Sequence, residues 1–200
     1  MKQAEVLEIL KETGALRTGH FRLSSGLHSG EYIEKFQVFR YPVKVQSLCR
    51  AIVKRFEDDE IEVVLGPTTG GILLAFEVAR QMKIAALYAE RADAPPPSGS
   101  RRELRRGQVL NPGTRVLVVD DVLTTGGAIR ECLDLVRSTG AELVGTAVLA
   151  DRSGGTVDLG CRLDALVTLY ITNFPPDLCP LCRSGEPLTE PGSKYLTEKK

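Results

Sequence analysis

The segment VLVVDDVLTTGGAI, residues 116–129, combines groups that could bind a charged ligand. Its apolar start predicts a buried strand, and Asp120 and Asp121 follow at the carboxyl end, the edge where open α/β sheets bind ligands. The Thr/Gly run at 124–127 predicts a turn into a helix, so that several backbone N–H groups converge on one point. Such a concavity suits a phosphate dianion.

The two carboxylates of this segment need a partner other than the phosphate. At about 6 Å they would repel a phosphate by a few kcal/mol at an intermediate dielectric. The vicinal hydroxyls of a ribose are natural partners for Asp120 and Asp121, because carboxylates accept hydrogen bonds and can share a divalent cation carried by the ligand. The ordered string therefore favours a ligand with a 5-phosphate, a ribose diol and a metal-bound pyrophosphate over an ordinary turn with solvated caps.

Alternating strands and helices must position this segment. Strands are predicted at 61–67, 84–89, 115–121, 142–151 and 164–171, with helices at about 71–82 and 126–138. Apolar strands of this kind, interleaved with helices, are typical of a parallel sheet covered on both faces. The sequence predicts an α/β fold with a doubly wound, mostly parallel sheet.

Three other stretches surround or interrupt the predicted core at 41–172. Residues 1–40 predict a helix and a small hood of β-prone pieces around a Ser/Gly turn. Residues 92–108, ADAPPPSGSRRELRRGQ, carry a Pro run and four Arg without an apolar face, which predicts a mobile lid. The Pro-rich stretch 173–200 predicts an irregular tail.

Charge and hydropathy disfavour several classes of protein. Lys plus Arg and Asp plus Glu number 26 each, so no global field favours nucleic acid or an acidic membrane surface. No run reaches the roughly 18 apolar residues of a membrane span, and the start, MKQAEVLEILKETG, is a charged amphipathic pattern unlike a signal peptide. We expect a cytoplasmic protein that binds neither nucleic acid nor membranes.

The 116–129 segment resembles the phosphoribosyl pyrophosphate (PRPP) signature of type I phosphoribosyltransferases. The resemblance implies the type I phosphoribosyltransferase fold, with two acids on the ribose diol and the loop on the 5-phosphate. It also implies Mg²⁺ as the cofactor, held mainly by PRPP without dedicated protein ligands. The PRPP-binding residues implied here are Asp120, Asp121, Val122, Leu123, Thr124, Thr125, Gly126, Gly127 and Ala128.

Two further segments resemble orotate phosphoribosyltransferase. The string GALRTGHFRLSSGLHSGEYIEKF, residues 14–36, is similar to that family's N-terminal hood, with its F-x-L-x-SG-x-x-S-x-x-Y pattern. The resemblance implies that the orotate and PRPP sites are lined by Ser25, Gly26, Ser29, Tyr32 and Ile33. The string LGPTTGGILLA, residues 65–75, is similar to the pyrophosphate loop, with Thr68, Thr69, Gly70 and Gly71 in the matching positions.

Two arginines complete the resemblance. Arg91, in YAERA, matches a family Arg that contacts pyrophosphate, and would be catalytic together with Asp120 and Asp121. Arg152, in LADRSGG, matches the Arg that pairs with the orotate carboxylate, where Thr124 would also contact the base. A guanidinium can donate two parallel hydrogen bonds to a planar carboxylate. Uracil lacks this carboxylate, so such a contact would discriminate orotate from uracil. The resemblance implies transfer of the phosphoribosyl group from PRPP to orotate, giving orotidine 5′-monophosphate and pyrophosphate, by a homodimer.

The chain departs from the family's pattern at three places. The family commonly has Lys where this chain has Ser24 in the hood and Gly70 in the pyrophosphate loop, and its lid carries Lys and His that are absent here. Arg can stabilise charge but cannot supply a proton, because it stays protonated. The positive charge that the family's Lys and His supply would then come from Arg91 and from the lid residues Arg101, Arg102, Arg105 and Arg106.

The histidines and the CPLC pair suggest separate roles. His20 and His28 have no neighbour that would make either a base, and we expect both at the surface or in the hood. Cys179 and Cys182 could be half of a zinc site or a redox pair. A closed zinc site needs four ligands, and only Cys161 is spare. We expect a structural knuckle without metal.

Two alternative functions stay open from the sequence. The first is a phosphoribosyltransferase for another base, such as a purine, or for a different aromatic acid that Arg152 could also hold. The second is a non-catalytic PRPP-sensing regulator, which the missing lysines permit. The neutral net charge and the absence of a helix-turn-helix pattern argue against the nucleic-acid surface that such a regulator would need.

Overall fold

The structure is a computed structural model and describes residues 1–23, 25–93 and 101–191. In chain order its elements are α1 (Gln3–Glu12), β1 (Leu16–Arg22), β2 (His28–Ile33), α2 (Phe36–Phe39), α3 (Pro42–Arg55), β3 (Val63–Pro67), α4 (Gly70–Met82), β4 (Ala85–Arg91), β5 (Arg102–Glu103), β6 (Arg115–Leu123), α5 (Gly127–Ser138), β7 (Glu142–Asp151), β8 (Leu163–Thr168), β9 (Asn173–Phe174), a 3-10 turn (Pro176–Leu178), α6 (Pro180–Arg183) and β10 (Leu188–Thr189). None of the helices in these ranges is long and apolar enough to cross a membrane.

A six-stranded sheet in the order β5-β4-β3-β6-β7-β8 forms the centre of the fold. All neighbours are parallel except β5, which runs antiparallel to β4. Leu117 and Val119 of β6 pack in the core that includes α1, α3 and α4, whereas Val116 and Val118 pack in the core that includes α5. The predicted doubly wound sheet is confirmed, because both faces of its central strand are buried.

The order of the strands creates a crevice at one edge of this sheet. β3 and β6 are neighbours, but the chain leaves β3 through α4 towards β4 and leaves β6 through α5 towards β7. These connections diverge in opposite directions, so the carboxyl ends of β3 and β6 flank a topological switch point. Residues 68–71 after β3 and 124–127 after β6 are thereby brought to the same crevice.

A second, smaller sheet forms the hood and differs from the expected organisation of the tail. The antiparallel pair β1 and β2 is extended by β10 beside β1 and by β9 beside β2. The sequence predicts an irregular tail over 173–200, but in its described part, 173–191, these two short strands pair with the hood. The reason is that both edges of an isolated hairpin carry unpaired backbone groups, which the tail strands satisfy. Residues 192–200 lie outside the described residues.

The predicted lid at 92–108 is also only partly described, because 94–100 lie outside the described residues. After that gap, β5 returns to the sheet and pairs with the end of β4, with Arg91 opposite Arg102 and Glu90 opposite Glu103. Residues 102 and 103 are therefore an edge of the central sheet. The sequence does not predict this strand, since its two residues are charged.

Candidate active site

The loop after β6 forms a small polar pocket. Gly126 precedes α5 with φ 78°, and a Cβ placed there would lie 2.9 Å from Arg130 Nη1, so the turn requires glycine. Arg130 fixes this loop by donating to the Thr125 carbonyl at 2.6 Å and to the Asp158 carbonyl at 2.7 Å. The pocket has a volume of about 70 Å³ and is lined by Asp120, Val122, Leu123, Thr124, Thr125, Gly126, Gly127, Ala128 and Ile129. Eight of the nine PRPP-loop residues expected from the sequence thus line one pocket.

Asp120 and Asp121 have different surroundings although they are adjacent. Asp120 lines the pocket and is 8 % exposed; burial, and secondly the Asp121 carboxylate, raise its pKa to about 7. Asp121 Oδ1 accepts from Lys35 Nζ at 3.0 Å and from the Val122 N–H at 2.7 Å. Asp121 Oδ2 is buried and has no hydrogen-bond partner among the described residues. The two carboxylates therefore have different partners: Asp120 lines the pocket, whereas Asp121 pairs with Lys35.

The loop after β3 contacts the unpartnered oxygen of Asp121. The Thr68–Thr69 peptide is cis, and α4 begins at Gly70, at the positive end of the helix. A Cβ placed on Gly70 would lie 1.8 Å from Asp121 Oδ2. A side chain at this position, such as the Lys expected from the family, would therefore displace Asp121.

Arg102, predicted to be a basic lid residue, is buried. Only 4 % of the residue is exposed. Its Nη1 donates to the Ala89 carbonyl at 3.0 Å and to Thr68 Oγ1 at 3.2 Å, and its Nε lies 3.1 Å from Glu131 Oε2. Arg102 is buried because it joins the 68–71 loop to α5 beneath the crevice.

The other predicted basic residues lie at or beyond the end of β4. Arg105 forms ion pairs with Glu103 and, at 2.8 Å, with Asp93. Arg106 pairs with Glu90 at 2.9 Å. Asp93 and Glu103 belong to the predicted lid segment, and Glu90 lies on β4, so Arg105 and Arg106 are paired with acids close to them in the chain. Arg91 and Arg101 are exposed.

Arg152 is presented by the end of β7 next to the pocket. Its backbone N–H donates to the Leu123 carbonyl at 2.8 Å. The Asp151 carboxylate fixes the following turn by accepting from the Ser153 N–H at 2.7 Å and the Gly155 N–H at 3.0 Å. The Nε and Nη2 atoms of Arg152 are buried and have no hydrogen-bond partner within the described ranges. Two unsatisfied N–H groups on a guanidinium can donate in parallel to an anionic group.

The surroundings of Arg152 join the core to the hood. Burial lowers the pKa of the Arg152 guanidinium, and Tyr32 of β2 partly opposes this effect. Burial and Glu34 raise the pKa of Tyr32, which Arg152 partly lowers. Tyr32 of the hood and Arg152 of the core therefore influence each other electrostatically. A pocket of about 280 Å³ is lined by Arg152, Ser153, Gly154, Thr156, Leu169, Tyr170, Ile171 and Thr172.

The predicted hood residues are only partly brought to this site. Tyr32 packs against Phe21 with ring centroids 5.7 Å apart. Ser29 is completely buried in β2. Ser25 and Gly26 lie in the turn between β1 and β2, where the Gly26 N–H donates to the Leu23 carbonyl at 2.8 Å. Gly26 is thereby held within that turn.

One charged residue of the site is not predicted from the sequence, and the two histidines lie in the hood. Lys35 pairs with Asp121, but a single Lys after a strand gives no sequence signal for this contact. His20 and His28 lie in the hood, one of the two positions expected for them, and are only 3 % and 5 % exposed. They are buried because the tail covers them, with Cys182 Sγ 3.3 Å from His28 Nδ1.

The sheet, the crevice and its two loops define the class of a phosphoribosyl transferase. A family model described as the phosphoribosyl transferase domain matches residues 39–160. The orotate phosphoribosyltransferase of Desulforamulus reducens is 44% identical over 197 residues, which cover 98% of this chain and 100% of the relative. The chain belongs to the orotate phosphoribosyltransferase family.

Solved structures show the same relationship at lower identity. The orotate phosphoribosyltransferase from Aeropyrum pernix is 28% identical, with a TM-score of 0.69 over 82% of this chain and 93% of that one. The adenine phosphoribosyltransferase from Rhodothermus marinus is 23% identical, with a TM-score of 0.64 over 83% of this chain and 99% of that one. The second likeness concerns the fold alone, so the base must be inferred from the side chains of the site.

Proposed function

We propose that the protein transfers the phosphoribosyl group from PRPP to orotate, giving orotidine 5′-monophosphate and pyrophosphate. The observation that carries the choice of base is the pair of buried, unpartnered N–H groups on Arg152, next to the loop after β6. A planar carboxylate would satisfy both groups at once. Adenine and uracil carry no such carboxylate and would leave the charge buried and unpaired.

The donor would bind across the crevice. The backbone amides of residues 124–128 suit the 5-phosphate, and Asp120 and the free Oδ2 of Asp121 suit the ribose hydroxyls. These carboxylate oxygens also suit a Mg²⁺ ion carried mainly by PRPP, which when bound would supply positive charge to the pyrophosphate. Lys35 keeps Asp121 oriented and its charge balanced.

The reaction exchanges one bond at the ribose C1 for another. The bond between C1 and the pyrophosphate oxygen breaks, and its electron pair leaves with the pyrophosphate. The lone pair of orotate N1 attacks C1 from the opposite face, and the proton on N1 passes to the departing pyrophosphate or to solvent. The amides of residues 68–71, at the start of α4, and the exposed Arg91 would stabilise the departing charge. Arg102 holds this loop through Thr68 and so acts as a positioning residue.

We also propose that the protein is a cytoplasmic homodimer. Phe76 and Leu73 of α4 and Val43 of α3 are large apolar side chains that are 64 %, 47 % and 74 % exposed, and the two helices pack against each other. Exposed large apolar side chains on neighbouring helices are typical of an association surface. Light scattering should give twice the chain mass for the wild type and the single-chain mass for Phe76→Glu. A monomeric wild type would contradict the proposal.

Turnover with different bases tests the proposed function. The protein would be incubated with PRPP, Mg²⁺ and orotate, uracil, adenine or xanthine in separate reactions, and released pyrophosphate would be measured. We expect release with orotate at a rate far above that with the other bases. Turnover of a purine but not of orotate would support the first alternative, and PRPP binding without turnover of any base would support the regulator.

A further inference from the structure

The hood and the tail bring four potential metal ligands together outside the proposed active site. His20 lies on β1 and His28 on β2, while Cys179 precedes α6 and Cys182 lies within it. One ligand atom from each residue lies within 4.8 Å of all the others. The histidines and Cys179 are buried, and neither cysteine is in a disulfide.

The distances within this His₂Cys₂ cluster match those of a tetrahedral zinc site. Zn–N bonds of about 2.0–2.1 Å and Zn–S bonds of about 2.3 Å place two nitrogens about 3.4 Å apart, and a nitrogen and a sulfur about 3.6 Å apart. His20 Nε2 lies 3.0 Å from His28 Nδ1, 3.5 Å from Cys179 Sγ and 3.7 Å from Cys182 Sγ. Cys182 Sγ lies 3.3 Å from His28 Nδ1.

A backbone carbonyl orients one of the imidazoles towards the cluster. His20 Nδ1 lies 2.8 Å from the Glu186 carbonyl, to which it donates as an N–H. The lone pair of His20 is then on Nε2, the atom that faces the other three ligand atoms. Zinc-binding histidines commonly donate their second nitrogen to a carbonyl or carboxylate in this way.

We propose that His20, His28, Cys179 and Cys182 bind one Zn²⁺ ion in a closed structural site. The C-x₂-C spacing is typical of such sites, and the complete set of four ligands leaves no open position for catalysis. The metal-free knuckle expected from the sequence assumed that only Cys161 was available as a further ligand, whereas the hood supplies both histidines. The ion would fasten the tail to the strands β1 and β2, the second of which carries Tyr32.

Metal content tests this proposal directly. The full chain, without an added affinity tag that binds metal, would be dialysed and analysed for zinc by mass spectrometry. We expect one zinc per chain in the wild type. The zinc content of Cys182→Ser and of His28→Asn should be lower by about tenfold or more. Cys161→Ser is the matched control, because Cys161 contacts Thr146 instead of the cluster, and should keep its zinc.

Wild-type protein alone decides the question if those variants fail to fold. After exchange for cobalt, we expect intense visible bands of a tetrahedral ion and a thiolate-to-cobalt charge-transfer band. Titration of free thiols in denatured protein with chelator should detect all five cysteines. A count of three would indicate that Cys179 and Cys182 form a disulfide. The proposal is overturned by that count, by wild type that binds no zinc even after reconstitution, or by variants that keep as much zinc as Cys161→Ser.

Discussion

Replacing Arg152 tests the inferred recognition of the base. Its Nε and Nη2 are both buried without a partner, so a bound carboxylate would receive two charge-assisted hydrogen bonds. Each contributes about 1.5–3 kcal/mol, and about 1.4 kcal/mol corresponds to tenfold in rate. We therefore expect Arg152→Gln to lower kcat/KM for orotate by about 10²–10⁴-fold. Arg152→Lys keeps the positive charge but cannot donate two parallel hydrogen bonds. Its kcat/KM for orotate should therefore lie between the values for Arg152→Gln and the wild type.

The assay for this prediction is steady-state conversion of orotate, followed at saturating PRPP. KM for PRPP should change little, because Arg152 does not line the pocket after β6. Activity with uracil, however small, should not fall, since uracil has no carboxylate. Arg162→Gln is a suitable control, because Arg162 pairs with Asp59. A loss of less than tenfold for orotate, or equal losses for orotate and uracil, would refute the reasoning.

Three further variants test the acidic pair and its support. The raised pKa of Asp120, about 7, means that its carboxyl is protonated at lower pH, so kcat/KM for PRPP should rise through about pH 7 in the wild type. Asp120→Asn should abolish this rise in kcat/KM. A rise at the same pH in that variant would count against its assignment to Asp120. Lys35→Met should move the rise in kcat/KM to higher pH, because Lys35 lowers the pKa of Asp120 and pairs with Asp121. A rise at unchanged pH would be inconsistent with this role of Lys35. Arg102→Met removes the ion pair between Arg102 and Glu131 and should lower stability by about 1–3 kcal/mol, a fall of several degrees in Tm; an unchanged melting curve would argue against it.

Local patterns in the sequence predict the central sheet and the loop after β6. The apolar residues of β6 are recognisable as a strand because both faces of the sheet are covered, so no polar residue interrupts Val116–Val119. Gly126 is predictable as a turn residue because its positive φ favours glycine. Both features depend on residues that are neighbours in the chain.

Contacts between distant segments are not predictable in this way. His20 and Cys182 are separated by 162 positions, and no spacing rule joins a hood strand to the tail. Arg102 lies in a run of Arg that has the composition of a solvated loop, yet it is buried because Glu131, Thr68 and Ala89 provide its partners. The type of such a residue indicates which groups it can bind, but its position in the fold depends on partners that are distant in the chain.

A competition experiment tests the proposed choice of orotate most directly, because specificity is the ratio of kcat/KM values. The protein would receive limiting PRPP with Mg²⁺ and equal concentrations of orotate, uracil, adenine and xanthine, and the nucleotide products would be separated and identified by mass spectrometry. We predict that orotidine 5′-monophosphate accounts for nearly all of the product. A mixture dominated by any other nucleotide, or PRPP bound without a nucleotide product, would contradict the proposed function.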